Sequence, residues 1–229
     1  MRICTKNYFK NTEADNTWAI VEEPQSLAAR TRNLIMNYAK PYGKNCLSLG
    51  CGHGRFLKSY IEKGAKQVVG ADINRSNLSI CKNYSADIVL CDIENLPFRS
   101  NCFDIIECVA TMEHIEQPIL VLKEAKRVLT EKGQLFVTWA FFSWVRIFKD
   151  HELRVRLVLT LRDLIPDQIG EKMSQKRFFG FKHYGFFKNK GFSIDQIQEI
   201  YANADLPVSS IGSCLVEKIT LVISSVSKR

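Results

Sequence analysis

Three glycines lie at a spacing that could form a ligand-binding loop. Gly50, Gly52 and Gly54 fall between a short apolar run, Cys46 to Leu49, and a stretch whose apolar residues have helical spacing. Glycines let a ligand approach the backbone, and a helix that begins at such a loop presents unpaired N–H groups to an anionic group. Taken alone, the spacing also fits a tight strand-to-helix turn that binds nothing.

Two aspartates follow the next two strand-like runs. Asp72 comes directly after the run that ends at Ala71, and Asp92 comes directly after the run that ends at Cys91. An acidic side chain at the position of Asp72 can accept hydrogen bonds from both hydroxyls of a ribose, and Asp92 would lie beside the base of the nucleoside. The alternatives are a helix N-cap for Asp72, because Asn74 and Ser76 follow it, and a turn residue for Asp92. Parallel strands would bring the glycine loop and both aspartates to one edge of a sheet.

Arg55 bears on which nucleoside cofactor such a site would hold. The dinucleotide-binding fingerprint has a small residue three positions after its second glycine, where helix and strand pack closely. That position is Arg55 here, and Gly54 comes one residue too early. The loop is therefore unlike those that bind NAD or FAD.

Short apolar runs alternate with helical patterns from residue 45 to about residue 139. Strands are predicted at residues 46–49, 67–71, 87–91, 103–109 and 134–138, with helices at 55–63, 75–84 and 118–129. Nearly continuous apolar strands that alternate with helices predict a doubly wound α/β fold with a mostly parallel sheet. Two further strands are predicted at residues 191–200 and 214–224.

Five motifs occur in succession along the chain, namely Leu47–Phe56, Val69–Ile73, Cys91–Phe98, Phe103–Ile106 and Met112–Ile115. Their order resembles that of the class I S-adenosylmethionine-dependent methyltransferases. Within that class the chain resembles the large subgroup that contains quinone-biosynthesis and other small-molecule methyltransferases, and the resemblance covers about residues 40–140. The resemblance implies a Rossmann-like sheet of seven strands with the last antiparallel, and S-adenosylmethionine as cofactor.

The same resemblance implies which residues bind the cofactor. The glycines would face its methionine portion, Asp72 its ribose and Asp92 its adenine, and the chain after strand four would line the methionine side. The full predicted set is Ser48, Gly50, Cys51, Gly52, Gly54, Asp72, Ile73, Asp92, Ile93 and Cys108, with no metal. Ser48 departs from the family, which usually has Asp or Glu there, and a hydroxyl lacks the strength of a charge-assisted hydrogen bond. A relative that binds the cofactor without catalysis is therefore an alternative.

Methyl transfer from an activated sulfonium needs a general base only if the acceptor must lose a proton. The weak candidates for that role are His114 and His183, with Tyr184 as a positioning group. A packing or capping role for His114 and a surface or core position for His183 are the alternatives.

A single domain is expected over residues 1–229. It would comprise an N-terminal helical cap (1–40), the cofactor-binding core (41–140), a helical insertion after the fifth strand (141–190) and the final two strands (191–229). Residues 177–188 interleave six aromatic with four basic or histidine side chains, which fits a packed lid, an apolar wall for an acceptor or a stacking surface for RNA. Residues 141–165 could likewise form a lid or a peripheral membrane contact.

The net charge is +8, and residues 140–229 carry 14 Lys or Arg against 9 Asp or Glu. A small apolar or aromatic acceptor is the first prediction. An RNA acceptor is the alternative, because of the basic C-terminal part and because Leu96–Ser100 resembles a motif of tRNA wobble-uridine enzymes.

Eight cysteines without zinc-ligand spacing fit the reducing cytoplasm. No transmembrane segment or signal peptide is predicted, since charges interrupt the most apolar late stretch and the stretch from Met1 to Asp15 lacks an apolar core.

Overall fold

The computed structural model describes residues 27–115, 117–139, 194–206 and 220–222, together with residue 10. The helices are α1 (Leu27–Ala39), α2 (Arg55–Glu62), α3 (Arg75–Cys81), α4 (Pro118–Val128) and α5 (Ile194–Asn203), with a 3₁₀ turn at Met112–His114. The strands are β1 (Asn45–Leu49), β2 (Gln67–Asp72), β3 (Asp87–Leu90), β4 (Phe103–Cys108), β5 (Leu129–Trp139) and β6 (Thr220–Val222).

The strands form one sheet in the order β3-β2-β1-β4-β5-β6. The first five strands are parallel, and β6 pairs with β5 in the antiparallel sense. The predicted doubly wound, mostly parallel fold is therefore confirmed. The described residues contribute six strands, and a seventh is not among them.

Strand order reverses between β1 and β4, because the chain leaves β1 toward β2 on one side and returns to β4 on the other. In open α/β sheets ligands bind in the crevice that such a reversal opens at the carboxyl ends of the strands. The loops after β1 and β4 flank that crevice here. The fold thus places the glycine loop, which follows β1, at this crevice.

Each face of the sheet carries its own hydrophobic core, as expected for strands that are apolar along their whole length. One core joins alternate residues of β1, β4 and β5 to α4 and α5 and includes Leu47, Ile106 and Trp139. The other joins the remaining residues of the same strands to α1, α2 and α3 and includes Cys46 and Ile105. Burial on both faces fixes the sheet beneath the crevice.

The strand predicted over residues 191–200 is wrong, because Ile194–Asn203 is helical. The buried residues Ile197, Tyr201 and Ala204 recur at intervals of four and three, which is the period of a helix face. Tyr201 packs edge-to-face against Trp139 of β5, with ring centroids 5.9 Å apart. This tertiary contact selects the helical spacing over the apparent alternation of Phe192 and Ile194.

Two boundaries also differ from the prediction. The helix expected to end at residue 129 ends at Val128, and β5 begins at Leu129 rather than at residue 134. Phe103 pairs with Leu129, but Ile105 pairs with Gln134, so the register shifts there.

Within the described ranges, no helix is both long enough and apolar enough to cross a membrane.

Candidate active site

The loop after β1 turns through left-handed backbone at Gly50 and Gly52, with φ of +68° and +51°. A Cβ atom on Gly50 would lie 2.5 Å from the side chain of Thr111, which follows β4, whereas a Cβ on Gly52 would meet no atom within 4 Å. The Gly50 and Cys51 N–H groups both donate to the Ala71 carbonyl of β2, at 2.8 and 3.1 Å. The loop is thus tied to β2 and packed against Thr111, while its surface at Gly52 is open.

Asp72, at the end of β2, connects this loop to the next one. Its Oδ2 accepts a hydrogen bond from the Gly52 N–H and its Oδ1 accepts one from the Asn74 N–H, both at 2.8 Å. Burial raises the pKa of Asp72, and these backbone hydrogen bonds oppose that rise. Asn74 caps α3 by accepting from the Asn77 N–H, so the alternative of Asp72 as that helix's N-cap is wrong. A carboxylate held in this way retains lone pairs for further donors.

Asp92 and Ile93 lie in the segment that follows β3. Asp92 Oδ1 accepts from the Glu94 N–H at 3.0 Å, which is the geometry of a turn residue. Ile93 is buried in the core beside α4. The Cys91 N–H donates to the Asp72 carbonyl at 3.0 Å, so the structure places the Asp72 and Asp92 segments side by side, as predicted from the parallel strands.

Glu124 and Arg127 of α4 hold this segment in place. Glu124 accepts from the Leu96 N–H at 2.8 Å, and Arg127 donates to the carbonyls of Leu96 and Phe98 at 2.9 and 2.7 Å. The two side chains also form an ion pair with N–O separation of 2.7 Å, and Arg127 lowers the pKa of Glu124. We refer to this pair as the α4 clamp, since it joins both ends of a backbone turn to one helix.

The other predicted cofactor residues lie at the same edge of the sheet. Ser48 and Cys108 are buried at the ends of β1 and β4, and Gly54 is the N-cap residue of α2. Cys51 is buried, and its thiol contact with Cys81 together with burial raises its pKa. Ile73 follows β2 directly and is partly buried.

The candidates for a general base are less well placed by the structure. His114 ends the 3₁₀ turn that follows β4 and is partly buried. His183 and Tyr184 lie outside the described residues, as does the whole segment 141–190. Within the described ranges, no cluster of three His, Cys, Asp or Glu residues could hold a metal ion.

Glu107 is the functional candidate that sequence reasoning missed. It is 2% exposed on β4 and pairs in register with Ser48 of β1. Burial raises its pKa to about 8, although hydrogen bonds from the Ser48 hydroxyl and the Val109 backbone oppose the rise. The sequence does contain a signal for this residue, because Glu107 lies within the apolar run Phe103–Cys108. A strand that is buried on both faces rarely contains an acid.

Comparisons with known proteins bear on this site. Residues 47–137 match the family model of the methyltransferase domain. The mouse protein named "Probable tRNA methyltransferase 9B" is 32% identical over 146 residues, which are 62% of this chain and 32% of that protein. The ubiquinone biosynthesis O-methyltransferase of Coxiella burnetii is 33% identical over 100 residues, 41% of this chain and 42% of that protein. The chain thus spans about a third to two fifths of the length of these curated relatives.

A solved structure shows the same fold over most of the chain. Phosphoethanolamine N-methyltransferase 2 of Haemonchus contortus, solved with S-adenosylhomocysteine, aligns over 92% of this chain and 47% of its own, with a TM-score of 0.61 and 15% identity. The family match, the sheet order and the glycine loop together define the class. Residues 47–137 thus match a methyltransferase domain, and the sheet has the fold of the class I S-adenosylmethionine-dependent methyltransferases.

Proposed function

We propose that this chain transfers the methyl group of S-adenosylmethionine to an acceptor substrate. The observation that carries the proposal is the contact between Asp72 and the open turn at Gly52, at the point where the order of strands reverses. S-adenosylmethionine supplies a methyl group on a positively charged sulfur, which an acceptor displaces in line. The glycine loop, with Ser48, Cys51 and Cys108, would bind the methionine portion of the cofactor. Asp72 with Ile73 would bind the ribose, and Asp92 with Ile93 the adenine.

Cofactor binding is tested by calorimetry on Asp72→Asn. The amide keeps the shape of the side chain, but its NH2 group cannot accept hydrogen bonds, so the variant cannot hold the Gly52 and Asn74 N–H groups and also accept from both ribose hydroxyls. Loss of a ribose hydrogen bond to a charged acceptor costs about 1.5–3 kcal/mol, so we expect S-adenosylmethionine to bind at least tenfold more weakly. Asp87→Asn is the matched control, because Asp87 begins β3 at the opposite edge of the sheet and is exposed. Equal affinities of the two variants would contradict the placement of the ribose at Asp72.

An RNA acceptor has the broader support from the comparisons. The match to tRNA methyltransferase 9B covers 62% of this chain, against 41% for the quinone enzyme. The net charge of +8 favours contact with a polyanion, although a basic surface by itself is weak support. We therefore propose tRNA as the first acceptor class to test.

A small apolar or aromatic acceptor is the second candidate. The match to the ubiquinone biosynthesis O-methyltransferase favours it. Positioning an activated methyl donor accounts for much of the rate in either case, so the proposal requires no general base. His114, His183 and Tyr184 remain predictions for an acceptor that must lose a proton.

One labelled-methyl assay separates the two acceptor classes. The chain is incubated with radiolabelled S-adenosylmethionine and either unmodified total tRNA or a quinol and lipid extract. Transfer to tRNA that falls steeply with added salt supports the RNA acceptor, because counterion release drives binding to phosphates. Transfer to the lipid fraction alone supports the small-molecule acceptor. Cofactor binding without transfer to either pool would instead support a non-catalytic relative.

We also propose a cytoplasmic location. The six cysteines among the described residues are all free thiols, namely Cys46, Cys51, Cys81, Cys91, Cys102 and Cys108. Free thiols in this number fit a reducing compartment, because oxidising compartments favour disulfides.

A further inference from the structure

Glu107 and Ser48 form a polar pair inside an otherwise apolar sheet. They are aligned across the β1–β4 ladder, each one residue before the end of its strand, and each is 2% exposed. The Ser48 hydroxyl opposes the rise that burial causes in the pKa of Glu107, as a donor beside that carboxyl group does. Because strand order reverses between β1 and β4, this pair lies directly beneath the crevice beside the glycine loop.

The pair leaves hydrogen-bonding capacity unused. Glu107 Oε1 has no hydrogen-bond partner among the described residues, and neither has the hydroxyl of Tyr60 on α2. Burial and, after it, the Glu107 carboxylate raise the pKa of Tyr60. Tyr60 lies in the core that includes Ile105, which is two residues before Glu107 on β4 and therefore on the same face of the sheet. Buried polar atoms without partners cost free energy, and in a native protein they commonly mark the place of a ligand or an ordered water. A carboxylate accepts hydrogen bonds and attracts cations, which makes an ammonium group a suitable partner.

We propose that Glu107 provides the carboxylate that binds the ammonium group of the cofactor's methionine portion, in place of the acid that the family resemblance implies at the position of Ser48. The inference rests on the proposed function, because it requires that the cofactor binds at this edge of the sheet. In this chain the carboxyl group lies on β4, at the register partner of Ser48, rather than on β1. The serine that remains on β1 then orients this carboxylate through its hydroxyl.

The protonation state of Glu107 gives the proposal a direct signature. Its pKa of about 8 means that the carboxyl group is mostly protonated at pH 7 when no cation is present. The titratable groups that face it in the described structure are Tyr60 on α2, Cys46 on β1 and Cys51 in the glycine loop. The pKa of each is raised, so all three are neutral at pH 7. An ammonium group placed beside Glu107 would lower its pKa, and binding would release a proton.

Calorimetry with two ligands tests the proposal. S-adenosylhomocysteine has the amino-acid portion, whereas 5′-methylthioadenosine has the same nucleoside and sulfur but no ammonium group. We expect Glu107→Gln to weaken S-adenosylhomocysteine binding at least tenfold and to leave the affinity for methylthioadenosine unchanged. Measured at pH 7 in buffers of different ionisation enthalpy, the unmodified chain should release most of one proton per S-adenosylhomocysteine bound, and Glu107→Gln should release none. Glu131→Gln, an exposed acid on β5, is the control.

A second variant distinguishes binding from folding. Adding Ser48→Asp to Glu107→Gln returns a carboxyl group to the pair from the other strand and should restore the affinity for S-adenosylhomocysteine. Equal loss of both ligands in Glu107→Gln, or unchanged affinity and proton release, would overturn the role of Glu107. If the unmodified chain bound neither ligand, the proposed function itself would fail, and this inference with it.

Discussion

The same substitution, to alanine, should have different effects at Gly50 and Gly52. Both have positive φ, and left-handed backbone costs an L-residue about 1–2 kcal/mol. At Gly50 the new Cβ would also lie 2.5 Å from Cγ2 and Oγ1 of Thr111, and overpacking of this kind costs about 1–3 kcal/mol more. Gly50→Ala should therefore lower the free energy of unfolding by about 2–5 kcal/mol, and Gly52→Ala by only about 1–2 kcal/mol.

Cofactor affinity should follow the reverse order. The Cβ at Gly52 would enter open space at the edge where we place S-adenosylmethionine, so Gly52→Ala should reduce that affinity by at least tenfold, or about 1.4 kcal/mol. Urea unfolding followed by tryptophan fluorescence measures the stability change, and calorimetry on the folded variants measures the affinity.

A third substitution tests the cause of the clash. Thr111→Ala removes the two atoms nearest to the Cβ that Gly50→Ala would add and leaves the Thr111 Cβ position, 3.1 Å away. In that background Gly50→Ala should cost less than it does alone, with a coupling of about 1–2 kcal/mol between the two sites. Equal stability losses at Gly50 and Gly52, or the absence of coupling to Thr111, would refute this account of the loop.

Three further predictions concern the surroundings of the site. Arg127 lowers the pKa of Glu124, so the α4 clamp should stabilise the fold at neutral pH, and this stabilisation should be lost as the pH falls through the folded-state pKa of Glu124. In thermal melts, acidification should therefore lower the melting temperature of Glu124→Gln less than that of the unmodified chain. The pKa of Glu107 is raised from 4.5 to about 8, so between pH 4.5 and pH 8 the cofactor-free fold binds more protons than the unfolded chain does. The free energy of unfolding should therefore fall as the pH rises through this range. Melts between pH 5 and 8 should show this slope in the unmodified chain and not in Glu107→Gln, and a shared slope would contradict it. Tyr201→Ala should destabilise the chain by about 3–5 kcal/mol in urea, because it removes a fully buried ring that packs on Trp139, whereas exposed Tyr38→Ala should change stability by less than about 0.5 kcal/mol.

The order of the core elements could be predicted from the sequence because each strand is a compact apolar run bounded by recognisable signals. Pro118 begins α4, as its fixed φ favours, and Gly50 follows β1 directly, where the strand pattern stops. Residues 191–200 begin at Gly191, which marks a boundary but does not distinguish a strand from a helix. Their helical face is defined by Ile197 and Tyr201, and only the contact with Trp139 on a distant strand shows that these residues share it.

The candidate site was predictable where it depends on position along a strand and not where it depends on neighbours across the sheet. Asp72 ends β2 and Asp92 follows the parallel strand β3, so their convergence followed from topology alone. The hydrogen bonds that Asp72 makes to Gly52 and Asn74 did not follow, because they depend on how two loops fold against each other.

Ser48 shows why the effect of a residue that departs from a family motif is hard to predict from the motif alone. Judged on β1 alone, the loss of an acid predicts weaker cofactor binding, and a non-catalytic relative becomes an alternative. Glu107 is distant from Ser48 in sequence, with two strands and two helices between them, yet the β1–β4 register places the two side by side. A buried acid is costly to keep without a cation or donors, and Ser48 with one backbone N–H satisfies only part of its capacity. The unsatisfied oxygen therefore favours a relocated binding group over a lost one. A loss of S-adenosylhomocysteine affinity in Glu107→Gln would support the relocated group, and unchanged affinity would support the lost one.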